Sequence, residues 1–215
     1  MEPSTAPAKP TPKPKPKPGD RGVEQELGKL QKGKGRLGSL NNPETYDNVP
    51  GRVIPILEHE FDDFDSEATQ FLDGDTPEPE FIGFRLKQGV YGQRQPGVQM
   101  VRVKLPYGGV TPEQMDAFAH AVETYAPLKK GHVTTRQNIQ IHHVPLKQMC
   151  HLIRDLAPSG LSSREGCGNT VRNVTGDPWA GVAEDEVFDP TTYVGAYVRY
   201  FVRHPTTQLM PRKIK

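Results

Sequence analysis

Val98–Leu105, VQMVRVKL, is the stretch on which the fold turns. It alternates: Val101, Val103 and Leu105 point to one side, Met100, Arg102 and Lys104 to the other, as a half-buried strand requires. A turn follows at Pro106–Gly109. Thr111 then stands as a helix cap, with Pro112 in the first helical position and Gln114 placed for a capping box. Met115, Phe118, Ala119, Val122 and Ala126 form the apolar stripe, and Pro127 ends the helix. A second strand is expected over His132–Val144, HVTTRQNIQIHHV. There Val133, Thr135, Ile139 and Ile141 share one parity, interrupted by Gln137, and Thr134, Arg136, Asn138, Gln140 and His142 share the other. Leu146, Met149, Leu152, Ile153 and Leu156 mark a second helix that stops at Pro158-Ser159-Gly160. The order β-α-β-α is an α+β pattern, consistent with a ferredoxin-like half-domain. A lone half exposes a sheet edge, and such edges are normally paired or covered.

Outside this unit the composition shifts. The 215 residues include 22 Pro and 21 Gly, and only 34% are hydrophobic, too few for a uniformly compact globule. Residues 1–18 hold seven prolines, with Lys13, Lys15 and Lys17 alternating with them. That run reads as an extended, disordered Pro/Lys-rich tail over residues 1–40, either a solvated linker or a tether for a polyanion. Residues 41–80 read as an irregular acidic segment, with a short helix near Glu67–Leu72 capped by Ser66. Patterned sequence is expected from Phe81, the half-domain taking residues 81–157. A last helix is expected over 189–204, capped by Asp189 and Pro190, its aromatics Tyr193, Tyr197 and Phe201 serving core packing. No apolar run is long enough to span a membrane. The amino-terminal MEPSTAPAKP has no signal-peptide core, so a reducing cytoplasm and two free thiols, Cys150 and Cys167, are expected.

The net charge of +1 conceals segregation. Residues 53–84 carry ten acids and no Lys or Arg, whereas residues 85–215 carry seventeen bases against ten acids. A patterned region with surplus Arg and Lys expects an anionic ligand or partner. Two features qualify. The first is the polar faces of the two strands, with Arg102 and Lys104 on one and Arg136 and His142 on the other. Paired, they would line one surface suited to a carboxylate, a phosphate or an oxyanion, the other reading being an ordinary solvated sheet face. The second is Arg164–Pro178, REGCGNTVRNVTGDP, in which Gly166, Gly168 and Gly176 bracket Arg172 and Asn173. Glycines let successive N–H groups converge on an anion, or they simply build a connection. Cys167, between Arg164 and Arg172, is either a reactive thiol or a small buried hydrophobe.

Four pieces in order, Met100–Gly109 (MVRVKLPYGG), Thr134–His142 (TTRQNIQIH), Gly166–Thr175 (GCGNTVRNVT) and Leu209–Lys215 (LMPRKIK), resemble the N-terminal half of the nitrite/sulfite reductases that use sirohaem and a 4Fe-4S cluster. The resemblance covers roughly residues 81–215. It implies that residues 158–215 open a sirohaem-binding α+β domain. It implies that Arg102, Arg172, Lys213 and Lys215 hold the substrate, nitrite or sulfite. It implies that Arg136 and His142 contact the macrocycle, with Thr134, Asn138, Asn169 and Asn173 in the same cavity. His132 stands where some members have an arginine. The implied chemistry is six-electron reduction, with electrons from ferredoxin or a flavoprotein passing through the cluster.

The four cluster cysteines of that family belong to its C-terminal half, and Cys150 and Cys167 do not reproduce their pattern. The chain also stops on what reads as the opening of a strand. A fragment or one part of a split enzyme is therefore expected, inactive without its missing half or a partner chain that carries the cluster. Two rivals are a nucleic-acid module and an inactive scaffold. The first is disfavoured because the strand faces lack the aromatics of an RNA-binding sheet.

Overall fold

The protein is described by a computed structural model over residues 56, 57, 59–202 and 204. The Pro/Lys-rich stretch, Lys213 and Lys215 lie outside the described residues.

Helix α1 spans His59–Leu72 and helix α2 Glu78–Lys87. The acidic stretch expected to be irregular therefore contains a 14-residue helix that starts well before Glu67. Its acids had masked a helical repeat. Phe64 and Ala68 are buried and Phe61 and Phe71 pack on the core, while Asp62, Asp63, Asp65 and Glu67 stay at the surface side. Glu60 and Asp62 also sit in the first turn, where the helix dipole favours negative charge. The Phe71 and Phe81 rings stack at 4.4 Å and join the two helices. Core packing thus begins at Phe61 and Phe64, ahead of the Phe81 start expected from the pattern.

Four strands, β1 (Val90–Gly92), β2 (Val98–Val103), β3 (Gly131–Val133) and β4 (Ile139–Pro145), form an antiparallel sheet in the order β1-β2-β4-β3. One face, with Val90, Val101, Val103, Ile141 and Val144, packs on the helices, including α3 (Pro112–Tyr125) and α4 (Leu146–Leu156). Val101, Val103 and Leu105 are buried as their alternation requires.

The stretch 132–144 is a hairpin rather than one strand. Gln137 takes φ 59, Thr134 N–H donates to Asn138 O at 2.8 Å, and Asn138 N–H donates to Thr134 Oγ1 at 3.0 Å. The short polar side chains bond the local backbone and close a turn, which ends the strand parity at Val133. Thr134, Arg136 and Asn138 are therefore turn residues and share no strand face with His142. A second irregularity follows. Gln99 pairs with Val144 and Val101 with Ile141, so His142 and His143 together oppose Met100. His143 absorbs this bulge at φ 62 and returns Val144 to the core side.

Helix α3 has the expected capping box between Thr111 and Gln114. Its buried face, Gln114, Phe118 and Ala121, is rotated from the expected stripe, and Met115 is 54% exposed. The cap explains this: the Gln114 amide accepts from Thr111 N–H at 3.0 Å and donates to Ser159 O at 3.2 Å, which pins that edge of the helix inward. Helix α5 runs Thr191–Phe201, where Asp189 Oδ1 accepts from Thr191 N–H at 2.9 Å. Val198 and Val202 are buried against Val174 and Val194. Tyr193, Tyr197 and Tyr200 are exposed, so the aromatics expected to pack the core mostly face outward.

Candidate functional site

The second face of the sheet carries nitrogen-rich side chains in register. Arg102 on β2 pairs with Gln140 on β4, which pairs in turn with His132 on β3. Directly paired residues project to the same side. The Gln140 amide lies between Arg102 and His142; assigned in the orientation that satisfies both neighbours, its oxygen is 2.8 Å from Arg102 Nε and 2.5 Å from Nη2, and its nitrogen is 3.3 Å from His142 Nε2. Gln93 Nε2 meets His142 Nδ1 at 3.3 Å, and the His132 and His142 rings lie 4.7 Å apart.

This face is not simply solvated. Residues 162–176 lie across its Arg102–Lys104 end. Lys104 N–H donates to Ser162 O at 3.1 Å, Glu165 N–H to Lys87 O at 2.7 Å, and Tyr107 N–H to Val174 O at 2.8 Å. Ser163 Oγ donates to Gln88 O at 2.7 Å. Lys104 is 2% exposed, with Nζ on Val171 O at 2.9 Å, and Arg102 Nη1 reaches Gly166 O at 3.3 Å. Two glycines permit the approach. A Cβ on Gly89, which takes φ +78, would stand 2.0 Å from Ser163 O, and one on Gly166 would stand 2.2 Å from Arg102 O. A buried ion pair anchors the segment: Arg164 Nη1 lies 3.1 Å from Glu60 Oε1 on α1.

Burial pushes the Cys167 thiol up to about 12, against the opposing pull of Arg102, Arg172, Arg85 and Lys104. Its Sγ contacts Leu86 O at 3.4 Å. Of the two readings of Cys167, the structure thus gives the inert buried one. All four groups acting on this thiol are bases, so the Cys167 end of the segment lies in positive potential. Burial also lowers the His142 pKa, helped by His132, His143 and Arg102, each of them basic.

Arg102 and His142 therefore share the sheet face, while Arg172 is exposed and acts on the Cys167 thiol from the crossing segment. Arg136 is exposed in the hairpin turn and joins that segment through the backbone: Asn173 Nδ2 donates to Arg136 O at 2.8 Å and to Leu105 O at 2.6 Å. Asn138 is buried, with Oδ1 accepting from Leu105 N–H at 2.9 Å. These two amides tie the β2 end to the turn, and Asn173 Oδ1 is left buried without a hydrogen bond among the described residues. Thr134 Oγ1 is used inside its turn, and Asn169 is exposed. Sequence reasoning passed over Gln93, Gln137 and Gln140 as site residues. Gln140 had the right parity. Gln137 clamps Gly176 through both amide atoms, at 2.7 and 2.9 Å, which no spacing announces.

The family description "Nitrite/Sulfite reductase ferredoxin-like half domain" matches residues 91–159. Residues 91–159 thus carry the ferredoxin-like half-domain found in nitrite/sulfite reductases. Over 89% of its length the chain is 36% identical to a chloroplastic ferredoxin–nitrite reductase of Oryza sativa subsp. japonica, covering 33% of that protein. Over 54% of its length it is 31% identical to a ferredoxin sulfite reductase of Mycobacterium tuberculosis, covering 21% of that protein. The solved structure of Mycobacterium tuberculosis NirA superposes with a TM-score of 0.59 at 23% identity, over 66% of this chain and 30% of that one. The chain spans about a third of the length of the first of these relatives. The ferredoxin-like half-domain expected from the strand and helix order is thus the fold of this region of the reductase family. Among the described residues no group of three His, Cys, Asp or Glu side chains could hold a metal ion. No described helix is long and apolar enough to cross a membrane.

Proposed function

We propose that this chain supplies part of the cationic pocket in which a nitrite or sulfite reductase holds sirohaem and its oxyanion substrate. The observation that carries the reading is the crossing of residues 162–176 over the sheet at Arg102 and Lys104, with His142 near Arg102 on the same face. A macrocycle bearing many carboxylates needs cations and N–H donors in one place, and guanidinium groups bind planar oxyanions bidentately. The donor set fits that group: the charged neighbours of His142 are all basic, so the face carries positive potential that an anionic ligand would offset.

When bound, sirohaem would supply the redox chemistry. The residues' own part is electrostatic. Arg102 and Arg172 attract the anion and lower the free energy of charge that develops on it. In this reading Arg136 and His142 would contact the macrocycle, Asn169 and Asn173 would line the cavity, and Lys213 and Lys215 would complete the substrate set, while Thr134 and Asn138, whose side chains accept from Asn138 N–H and Leu105 N–H, would act by fixing the turn. Ferredoxin or a flavoprotein delivers the electrons. Neither Cys150 nor Cys167 serves as a cluster thiolate. Two thiols with sixteen residues between them do not supply the four thiolates of a 4Fe-4S cluster. In this reading the 215 residues on their own do not reduce nitrite or sulfite, because their two cysteines are too few to hold the cluster.

The experiment is a sirohaem titration of the full chain, followed by its Soret band. Binding that weakens at least about tenfold in Arg102→Met and Arg172→Met is expected; no binding, or binding indifferent to both changes, overturns the pocket. Viologen-driven reduction of nitrite or sulfite by the chain alone would overturn its inactivity.

A further inference from the structure

Two glutamines hold the His142 ring from opposite sides, and each is oriented by something other than the ring. The guanidinium of Arg102 has only donors, which assigns the amide atom facing it, 2.8 Å from Nε and 2.5 Å from Nη2, as Gln140 Oε1 and leaves Nε2 toward His142 Nε2 at 3.3 Å. Gln93 Oε1 accepts from the His143 backbone N–H at 2.6 Å, which turns its Nε2 toward His142 Nδ1 at 3.3 Å. An amide nitrogen donates and does not accept. Both ring nitrogens therefore face donors. An imidazolium has N–H at both positions and would set donor against donor twice. The neutral ring does so once, and its bare nitrogen accepts a hydrogen bond.

We propose that Gln93 and Gln140 are positioning residues that hold His142 as an uncharged imidazole, and that Gln140 also aims the Arg102 guanidinium along the sheet face. The charged and titratable groups facing the ring point the same way. They are Arg102 from β2, His132 from β3 and the adjacent His143 on β4, and all three oppose a second positive charge. The bulge makes this possible: it places His142 beside the polar row while His143, at φ 62, offers its N–H to Gln93. His142 then contributes no cation to the site. Its role is that of a hydrogen-bonding ring able to take or give one proton, and the fixed positive charge is left to the arginines. This functional consequence rests on the pocket reading above; the protonation state of His142 does not.

The test is a pH titration of the full chain with ¹⁵N-labelled histidine, following the ring nitrogens by NMR. The expected result is a single neutral tautomer of His142 that protonates below the ordinary histidine value of 6.5. Gln140→Glu and Gln93→Glu each replace a donor by an acidic acceptor, and each should raise that midpoint. Having both variants keeps the test alive if one does not fold. A wild-type His142 that titrates at or above 6.5 overturns the proposal. So does a midpoint that neither substitution moves. In a second arm, sirohaem is titrated into the wild type and into Gln140→Glu, where the new carboxylate draws Arg102 away and binding should weaken about tenfold. Should NMR give the neutral ring while sirohaem binds to neither protein, the positioning claim stands and the pocket reading falls.

Discussion

The sheet and the segment that crosses it are stabilised by different means. Residues 98–145 rest on backbone ladders and on side chains such as Val101 and Ile141, both fully buried, so many small apolar contacts share the work. Residues 162–176 form neither helix nor strand. They are held by separate bonds, each to a particular partner: Ser163 to Gln88, Lys104 to Val171, Gln137 to Gly176, and Arg164 to Glu60. Distributed packing degrades gradually when a contact is lost. A few specific polar ties do not, because a broken tie leaves a buried group without its partner. Arg102 and Lys104 sit where these two regions meet.

The largest test of this contrast is Arg164→Met. It strips Glu60 of its buried countercharge and should cost about 3–5 kcal/mol in urea unfolding. Ile141→Ala, in the heart of the sheet, should cost about 3 kcal/mol, the usual loss for such a truncation. If Ile141→Ala proves the more damaging, the contrast between the two regions is wrong. Next is Gly166→Ala, whose Cβ would press on Arg102 O. It should lose about 2 kcal/mol and expose Cys167, read as faster labelling by a thiol reagent with Cys150 as the internal reference. Thr111→Ala removes one half of the α3 capping box and should cost about 1 kcal/mol by the same unfolding measurement. Arg154→Ala, which breaks the exposed pair with Asp62, should stay within about 0.5 kcal/mol and serves as the baseline.

A pH series adds a further check. The folded His142 value lies below 6.5. Just under 6.5 the native state therefore binds fewer protons than the unfolded chain, so stability rises with pH through that window. As pH falls, His142's contribution is lost down to its folded pKa and stays lost below it. Urea midpoints that fall on acidification in the wild type, with a smaller fall in His142→Asn, are expected.

The helical caps and the strand alternation were open to reading because each depends on neighbours three or fewer residues away. Thr111, Gln114, Val101 and Val103 are where their spacing put them. The 132–144 stretch misled because its β-branched residues gave a strand signal that the Thr134–Asn138 side chains override by closing a turn. Helix α1 was hidden under its own acids. In the site, Arg102 and His142 were legible as polar-face residues. Gln93 and the Gln137–Gly176 clamp were not, since their partners lie 50 and 39 residues away.

What the amino-acid order determined by itself is local: the β2 alternation, the α3 cap, the surplus of bases after residue 84, and motifs in family order. What only the folded chain decided is how those bases are deployed. The bulge at His142–His143, the burial of Lys104 under Val171 and the orientation of two glutamine amides come from long-range hydrogen bonds. No periodicity encodes such bonds, because each buried polar group takes whichever partner the packing brings within reach.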